Sequence, residues 1–292
     1  MVPGIIRRMV GKRYDAFVES PVYIVATVRS GPTALLNALK HHPALVAADR
    51  DAPSLHLLGG VAREYCPDGP RNEYFCSSNA MARERFRVAL RDLAFRTVWD
   101  KAGPLGLNPL KAGKRDSVWS PGRRVKRWVA KAFPGEDDAR GLSWLMPGTR
   151  FIYLVRNGIE VVHSMGRFPS FRDTDMKERC RIWSTRADAY RYLLTHPGAV
   201  TIRHENFLAD PGHALEPLWE KLNIEPSAAP SDYASTHVVH PLGDERTSEG
   251  SARDAIRARV SPWEQWSEED RKLFTEMCGE TMTALGYFCP PR

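Results

Sequence analysis

Cysteine is scarce in this chain of 292 residues: Cys66, Cys76, Cys180, Cys278 and Cys289 lie far apart, and no two form a C-x-x-C pair. That spacing gives neither a zinc framework nor a disulfide scaffold, and it leads us to expect reduced thiols in a cytoplasmic setting. Long apolar runs are missing too. The amino-terminal stretch MVPGIIRRMVGKRYDAF is basic, and its apolar runs are too short for a secretory core or a membrane span, so a surface lead-in is expected. No repeat, low-complexity tract or convincing linker divides the chain. A single domain over residues 1–292 is therefore expected, with a helical insertion and lid at about 79–125 and a basic loop and helix at about 245–292. Acidic residues are outnumbered, 35 against 42 basic, for a net charge of +7, which favours an anionic ligand, a nucleic acid or an acidic surface without choosing among them.

Two short apolar runs, Val22–Thr27 and Phe151–Val155, are rich in β-branched and aromatic residues. Each leads through a turn into a helical pattern, the rhythm of a covered parallel sheet. Arg127–Lys131 and Ala199–Arg203 are further strand candidates, so the sheet draws on the whole chain. Amphipathic helices are predicted over 79–101, with Phe86, Leu90, Leu93, Ala94 and Val98 inward, and over 173–194, with Trp183, Ala187, Tyr190 and Leu194 on one face. A third runs from Ser267, a plausible cap, to Leu285. The Gly- and Pro-containing stretch 102–124 reads as a loop or lid.

The first strand stops at Arg29-Ser30-Gly31 and a helix restarts at Pro32. Such a turn aims free helix N–H groups and the positive end of the helix dipole above the strand, which makes an anion site. Gly31 allows the tight turn, Pro32 suits the first helical position, and Ser30 and Thr33 add hydroxyls. No lysine follows Gly31, so the ATP-type phosphate loop is not met; Arg29 stands before the turn instead. A second strand also ends in an arginine, Arg156, followed by Asn157-Gly158 and, about two helical turns on, Ser164. Two strand-end arginines suggest a ligand with phosphates at both ends.

At this point the chain resembles the sulfotransferases that use 3′-phosphoadenosine 5′-phosphosulfate (PAPS), in their bacterial carbohydrate-type and tyrosylprotein-type branch. Their first motif, [K/R]-S-G-T-[ST]-x-L, is matched by Arg29-Ser30-Gly31-Pro32-Thr33-Ala34-Leu35, followed by His42-Pro43. Their second, R-[ND]-P-x-[DE]-x-x-x-S, is matched by Arg156, Asn157, Glu160 and Ser164. Arg203-His204-Glu205-Asn206-Phe207 resembles their Y-E-[D/N]-L segment, and Trp128–Pro134 resembles their K-x-P strand with one residue added. Pro32, Gly158 and His204 depart from the usual Thr, Pro and Tyr.

The resemblance implies an α/β fold, a P-loop-like three-layer sandwich with a central parallel sheet flanked by helices. It implies sulfuryl transfer from PAPS to a hydroxyl or amine of a small-molecule, glycan or glycolipid acceptor, leaving adenosine 3′,5′-bisphosphate (PAP), with no metal. Arg29, Ser30, Gly31, Pro32, Thr33 and Ala34 would line the 5′-phosphate and sulfuryl group; Arg156 and Ser164 would hold the 3′-phosphate. His204 would lie against the cofactor, and Arg257 and Arg259 would reach it from a closing loop. The acceptor's base would come from Asp49 or Asp51, although the simplest alignment puts Arg50 at the relatives' glutamate. His56 and His163 are reserve bases.

Lys111–Lys131, basic with Trp119 and Trp128 between the charges, is open to three readings: a solvated lid, an anionic acceptor surface and a nucleic-acid surface, the last not expected. His237 and His240 lack further ligands for a metal. Two other functions remain open on the sequence: a phosphoryl transferase, disfavoured by the missing lysine, and a degenerate sulfotransferase fold that only binds nucleotide or nucleic acid.

Overall fold

The computed structural model describes residues 15–52, 54–75, 80–99, 125–237 and 261–290. Five strands make one parallel sheet, β1 (Pro21–Ala26), β2 (Leu45–Asp51), β3 (Arg127–Lys131), β4 (Arg150–Val155) and β5 (Ala199–Arg203), in the order β2-β3-β1-β4-β5. All six residues of β1 are buried, as a central strand covered on both faces requires. Its side chains alternate between two cores. Tyr23 and Val25 join Trp128, Ala130, Phe151 and Tyr153 on one face, while Val22, Ile24 and Ala26 join Val129, Ile152 and Leu154 on the other.

Helices cover both faces. α1 (Pro32–Leu39), α7 (His204–Ala209), α8 (Pro211–Leu222) and α9 (Ala229–Thr236) lie on the second face, where Leu35, Leu36, Leu215 and Leu218 are buried. α2 (Ser54–Tyr65), α3 (Ala80–Trp99), α4 (Glu136–Leu145), α5 (Gly158–Gly166), α6 (Met176–Ala189) and α11 (Glu268–Ala284) bury Leu55, Leu142, Val162, Trp183 and Phe274 against the first; the short α10 (Pro262–Gln265) precedes α11. This is the three-layer α/β sandwich with a parallel sheet. The chain leaves β1 into α1 on one face and leaves β4 into α5 on the other. Their loops part above the carboxyl ends of these adjacent strands, where open α/β sheets form crevices.

The four predicted strands and three predicted helices are present, with the third helix capped as expected by Ser267, whose hydroxyl accepts from Asp270 N. Three details differ. Residues 45–51, not among the predicted strands, form β2 beside β3 with a register shift between Ala47 and Asp51; main-chain pairing to the buried β3 carries a strand whose own polar sequence does not announce it. Leu93 is 49% exposed, because it sits round the helix from the buried stripe of Leu90, Ala94 and Val98. Leu194 is exposed and Leu193 buried, since α6 gives way to a tighter 3₁₀ turn over Arg191–Leu194 that changes the phase. The proposed lid at 102–124 and the basic loop containing Arg257 and Arg259 lie outside the described residues, as do Val238, Val239 and His240.

Candidate active site

The turn after β1 is bent by two left-handed residues, Arg29 at φ 63° and Gly31 at φ 83°. For arginine that backbone is strained by about 1–2 kcal/mol, and such strain concentrates at functional sites. Ser30, wholly buried, shares a 2.7 Å hydrogen bond with the Thr27 hydroxyl, and its N–H donates to Thr27 O, locking the bend from below. α1 then begins at Pro32, with Gly31 as its cap.

The turn brings the two arginines together. Arg156, only 8% exposed, donates from Nη1 to the carbonyl of Arg29 at 2.7 Å, and its Nη2 lies 3.4 Å from Glu160 Oε2. Arg29 donates from Nε to Ser164 Oγ at 3.3 Å and lays its guanidinium 4.1 Å from the Phe168 ring centroid. Burial lowers the pKa of Arg29 from the ordinary guanidinium value. Arg29, Arg156 and Ser164, from two neighbouring βα units, are thus linked by hydrogen bonds at the carboxyl ends of β1 and β4. Two partly desolvated cations tied to one turn favour an anion beside them.

His204, at the start of α7, packs beneath the turn: a Cβ on Gly31 would fall 2.7 Å from its ring. Burial, and then the charge of Arg156, push its pKa down to about 3, so the ring is neutral. The unfolded chain, with an ordinary histidine near 6.5, binds more protons between the two values; stability contributed by the neutral ring is present above about pH 6.5 and lost as the pH falls toward 3. We expect His204 alone to make the protein about 2 kcal/mol less stable at pH 5 than at pH 7. Urea unfolding at the two pH values should show His204→Gln with a visibly smaller pH-dependent loss than the wild type; an equal loss would mean that His204 titrates normally.

The second turn is tied from outside. Asn157 caps α5 by accepting from Ile159 N, and its own N–H donates to Glu205 Oε1 at 2.9 Å; Glu205 Oε2 accepts from the Tyr287 hydroxyl at 2.8 Å. Gly158 stands where the resemblance leads to a proline because Trp183 is there: a Cβ would lie 2.6 Å from the indole. Arg203, by contrast, is structural: it donates to Leu285 O and Gly286 O and stacks on Tyr287 at 4.5 Å.

On the β2–β3 side, Lys131 reaches over the turn. Its Nζ lies 2.7 Å from Asp51 Oδ1 and donates to Thr33 Oγ1 at 3.2 Å. Asp51 therefore sits at the site's edge, exposed but ion-paired; Asp49 is in β2, and its side chain lies outside the described residues. Pro32, Thr33 and Ala34 form the first turn of α1, and His163 lies half-buried in the last turn of α5. Sequence reasoning gave no role to Phe168 or Tyr287, and named Lys131 and Glu205 only as members of longer motif-like or basic stretches. For Lys131 a signal was available: like Arg29, Arg156 and Arg203, it is a basic residue at the carboxyl end of a strand. Among the described residues no cluster of His, Cys, Asp and Glu suits a metal, and no helix is long and apolar enough to cross a membrane.

The parallel sheet and its flanking helices match the sulfotransferase α/β fold. The chain superposes on mouse sulfotransferase SULT7A1 complexed with PAP with a TM-score of 0.50 at 13% identity, covering 92% of this chain and 86% of that one. The sulfotransferase domain of the Synechococcus PCC 7002 olefin synthase also aligns, at TM-score 0.49 and 16% identity over 93% of this chain and 96% of that one. No protein-family model and no curated protein matches the chain by sequence. At these identities the likeness is one of fold.

Proposed function

We propose that the chain is a PAPS-dependent sulfotransferase that moves the sulfuryl group to a hydroxyl or amine of a small-molecule or glycan acceptor. The observation that supports this reading is the hydrogen-bonded cluster of Arg29, Arg156 and Ser164 at the carboxyl ends of β1 and β4. PAPS supplies the activated sulfuryl group. The residues present fit it, since two guanidinium groups, a buried hydroxyl and the amino end of α1 suit a ligand with anionic groups at two ends. Arg29 would neutralise charge at the 5′ end, with Ser30, Gly31, Pro32, Thr33 and Ala34 forming the turn around it. Arg156 and Ser164 would bind the 3′-phosphate, and the neutral ring of His204 would support the turn from below without adding a third charge.

Lys131, beside Thr33 and held by Asp51, would add a cation on the acceptor side. Fixed charges of this kind stabilise a transferring anionic group without reorganising during the reaction, so no covalent role for the protein is needed. Arg257 and Arg259 would complete the nucleotide's enclosure, and Asp49 and Asp51 are candidate bases together with His56.

In a thermal-shift panel, PAP at a hundred times its dissociation constant should stabilise the protein by about 2.7 kcal/mol. ATP with magnesium should do much less, and single-stranded DNA nothing. Stabilisation by ATP with magnesium alone would favour a phosphoryl transferase. Stabilisation by DNA alone would favour a binding module.

A further inference from the structure

We propose that His56, oriented by Asp138, takes the acceptor's proton. The inference rests on the sulfotransferase reading and assigns the group that this reading leaves open. His56 lies in the first turn of α2 and Asp138 in the first turn of α4, so both rise from the carboxyl ends of β2 and β3. Those ends meet the phosphate turn through Lys131, which touches Asp51 of β2 and Thr33 of α1, while Ala52 N donates to Lys131 O at 2.9 Å. The pair therefore stands on the side of the turn away from Arg156 and Ser164, where an acceptor would approach.

The local sequence is built for the contact. Gly59 and Gly60 in mid-helix are poorer helix formers for α2 than alanine would be. Their effect is to let α4 come close: a Cβ on Gly59 would lie 2.6 Å from Asp138 O, and one on Gly60 3.3 Å from Asp138 Oδ1. The carboxylate is thereby brought into ion-pair range of the imidazole, with His56 Nδ1 3.9 Å from Asp138 Oδ2. A carboxylate at Nδ1 favours the tautomer that leaves Nε2, the far corner of the ring, as the acceptor of a proton. No hydrogen bond to Nε2 is made among the described residues, and the side chain is 30% exposed. Asp51 is less suited to the task because its carboxylate is paired with Lys131 at 2.7 Å.

The charged groups acting on His56 are Asp138 from α4 and Arg186 from α6. Burial lowers its pKa more than Asp138 raises it, and Arg186 lowers it further, so the ring is a neutral base at pH 7. In the step, the acceptor oxygen forms a bond to sulfur as its proton passes to Nε2. The bond from sulfur to the bridging 5′-phosphate oxygen breaks, PAP departs with that electron pair, and the imidazolium then releases the proton to water.

The test uses sulfur-labelled PAPS with His56→Ala, His56→Gln and Asp138→Asn. Transfer is followed to 2-naphthol, un-ionised at neutral pH, to p-nitrophenol, assayed at pH 8 where it is largely ionised, and to water as labelled sulfate. Expected for His56→Ala is a loss of about 100-fold or more in kcat with 2-naphthol, or with water if neither phenol is accepted, partial rescue by imidazole, and a much smaller loss with p-nitrophenol. The thermal shift with PAP stays unchanged. Asp138→Asn, a positioning change, gives a smaller kcat loss at unchanged KM, and in the wild type kcat falls on the acid side at a pH below the ordinary histidine range, a limb absent in His56→Ala. Folded His56→Ala and His56→Gln proteins within about twofold of wild type for the un-ionised acceptor or water would overturn the proposal and leave the cofactor reading intact. A wild type that PAP does not stabilise would overturn both, and that readout is separate.

Discussion

Arg29→Ala and Arg156→Ala together should abolish measurable PAP binding, and each alone should weaken it by about 10- to 100-fold, the range expected for losing charge-assisted hydrogen bonds. Titration calorimetry on the folded variants reads this directly. The two positions differ in how they act. Arg156 donates to the carbonyl of Arg29, so its removal takes away both a phosphate ligand and the brace of the first turn. Arg29 holds a backbone conformation at φ 63° that glycine adopts without cost. Arg29→Gly should therefore match or exceed the wild type in unfolding free energy, by up to about 1 kcal/mol, while losing PAP affinity as Arg29→Ala does. A stabilised protein that no longer binds PAP would identify the strain at Arg29 as serving the ligand. Unchanged affinity in both alanine variants would remove the two-arginine cradle.

The second large effect is structural. A Cβ on Gly141 would lie close against Gly59 O, and 2.7 Å from Arg63 N, all of it backbone that cannot swing aside. Gly141→Ala must push α4 off α2, and we expect a loss of about 1–3 kcal/mol or more, with the melting temperature falling by about 2–4 °C for each kcal/mol. Gly60→Ala, whose Cβ would meet only the end of the Asp138 side chain, should be far milder. Calorimetric melting of both variants decides it, and equal stabilities would show the crossing to be looser than the geometry requires.

Where the sequence spoke through apolar pattern or turn chemistry, the fold was readable in it. β1 and the Phe151–Val155 part of β4 are unbroken apolar runs because both of their faces are covered, and Pro32 and Ser267 start helices where their chemistry says they should. The strand β2 was not legible, since LVAADRD has one β-branched residue and is held by pairing with a strand some eighty positions away. Arg29, Arg156 and Ser164 could be paired in advance because each follows a strand at a fixed offset. The contacts made by His204 under Gly31, by Lys131 on Thr33 and by Tyr287 on Glu205 depend on which strands are neighbours, and the order β2-β3-β1-β4-β5 is not written in any local segment. Glycine placement carried a readable hint that needed the structure to interpret: Gly59, Gly141 and Gly158 each mark a spot where another group presses in.

The bond from Tyr287 to Glu205, and from Glu205 to the N–H of Asn157, has a temporal corollary. A ribosome-bound chain that has emerged as far as β5 already owns both strand-end arginines, yet the loop carrying the second of them waits for a tyrosine more than eighty positions downstream. Such long-range closure slows folding and exposes unfinished surfaces. The pouch for the nucleotide should thus be the last part to set, and PAP added to a refolding reaction should capture molecules only after α11 has docked.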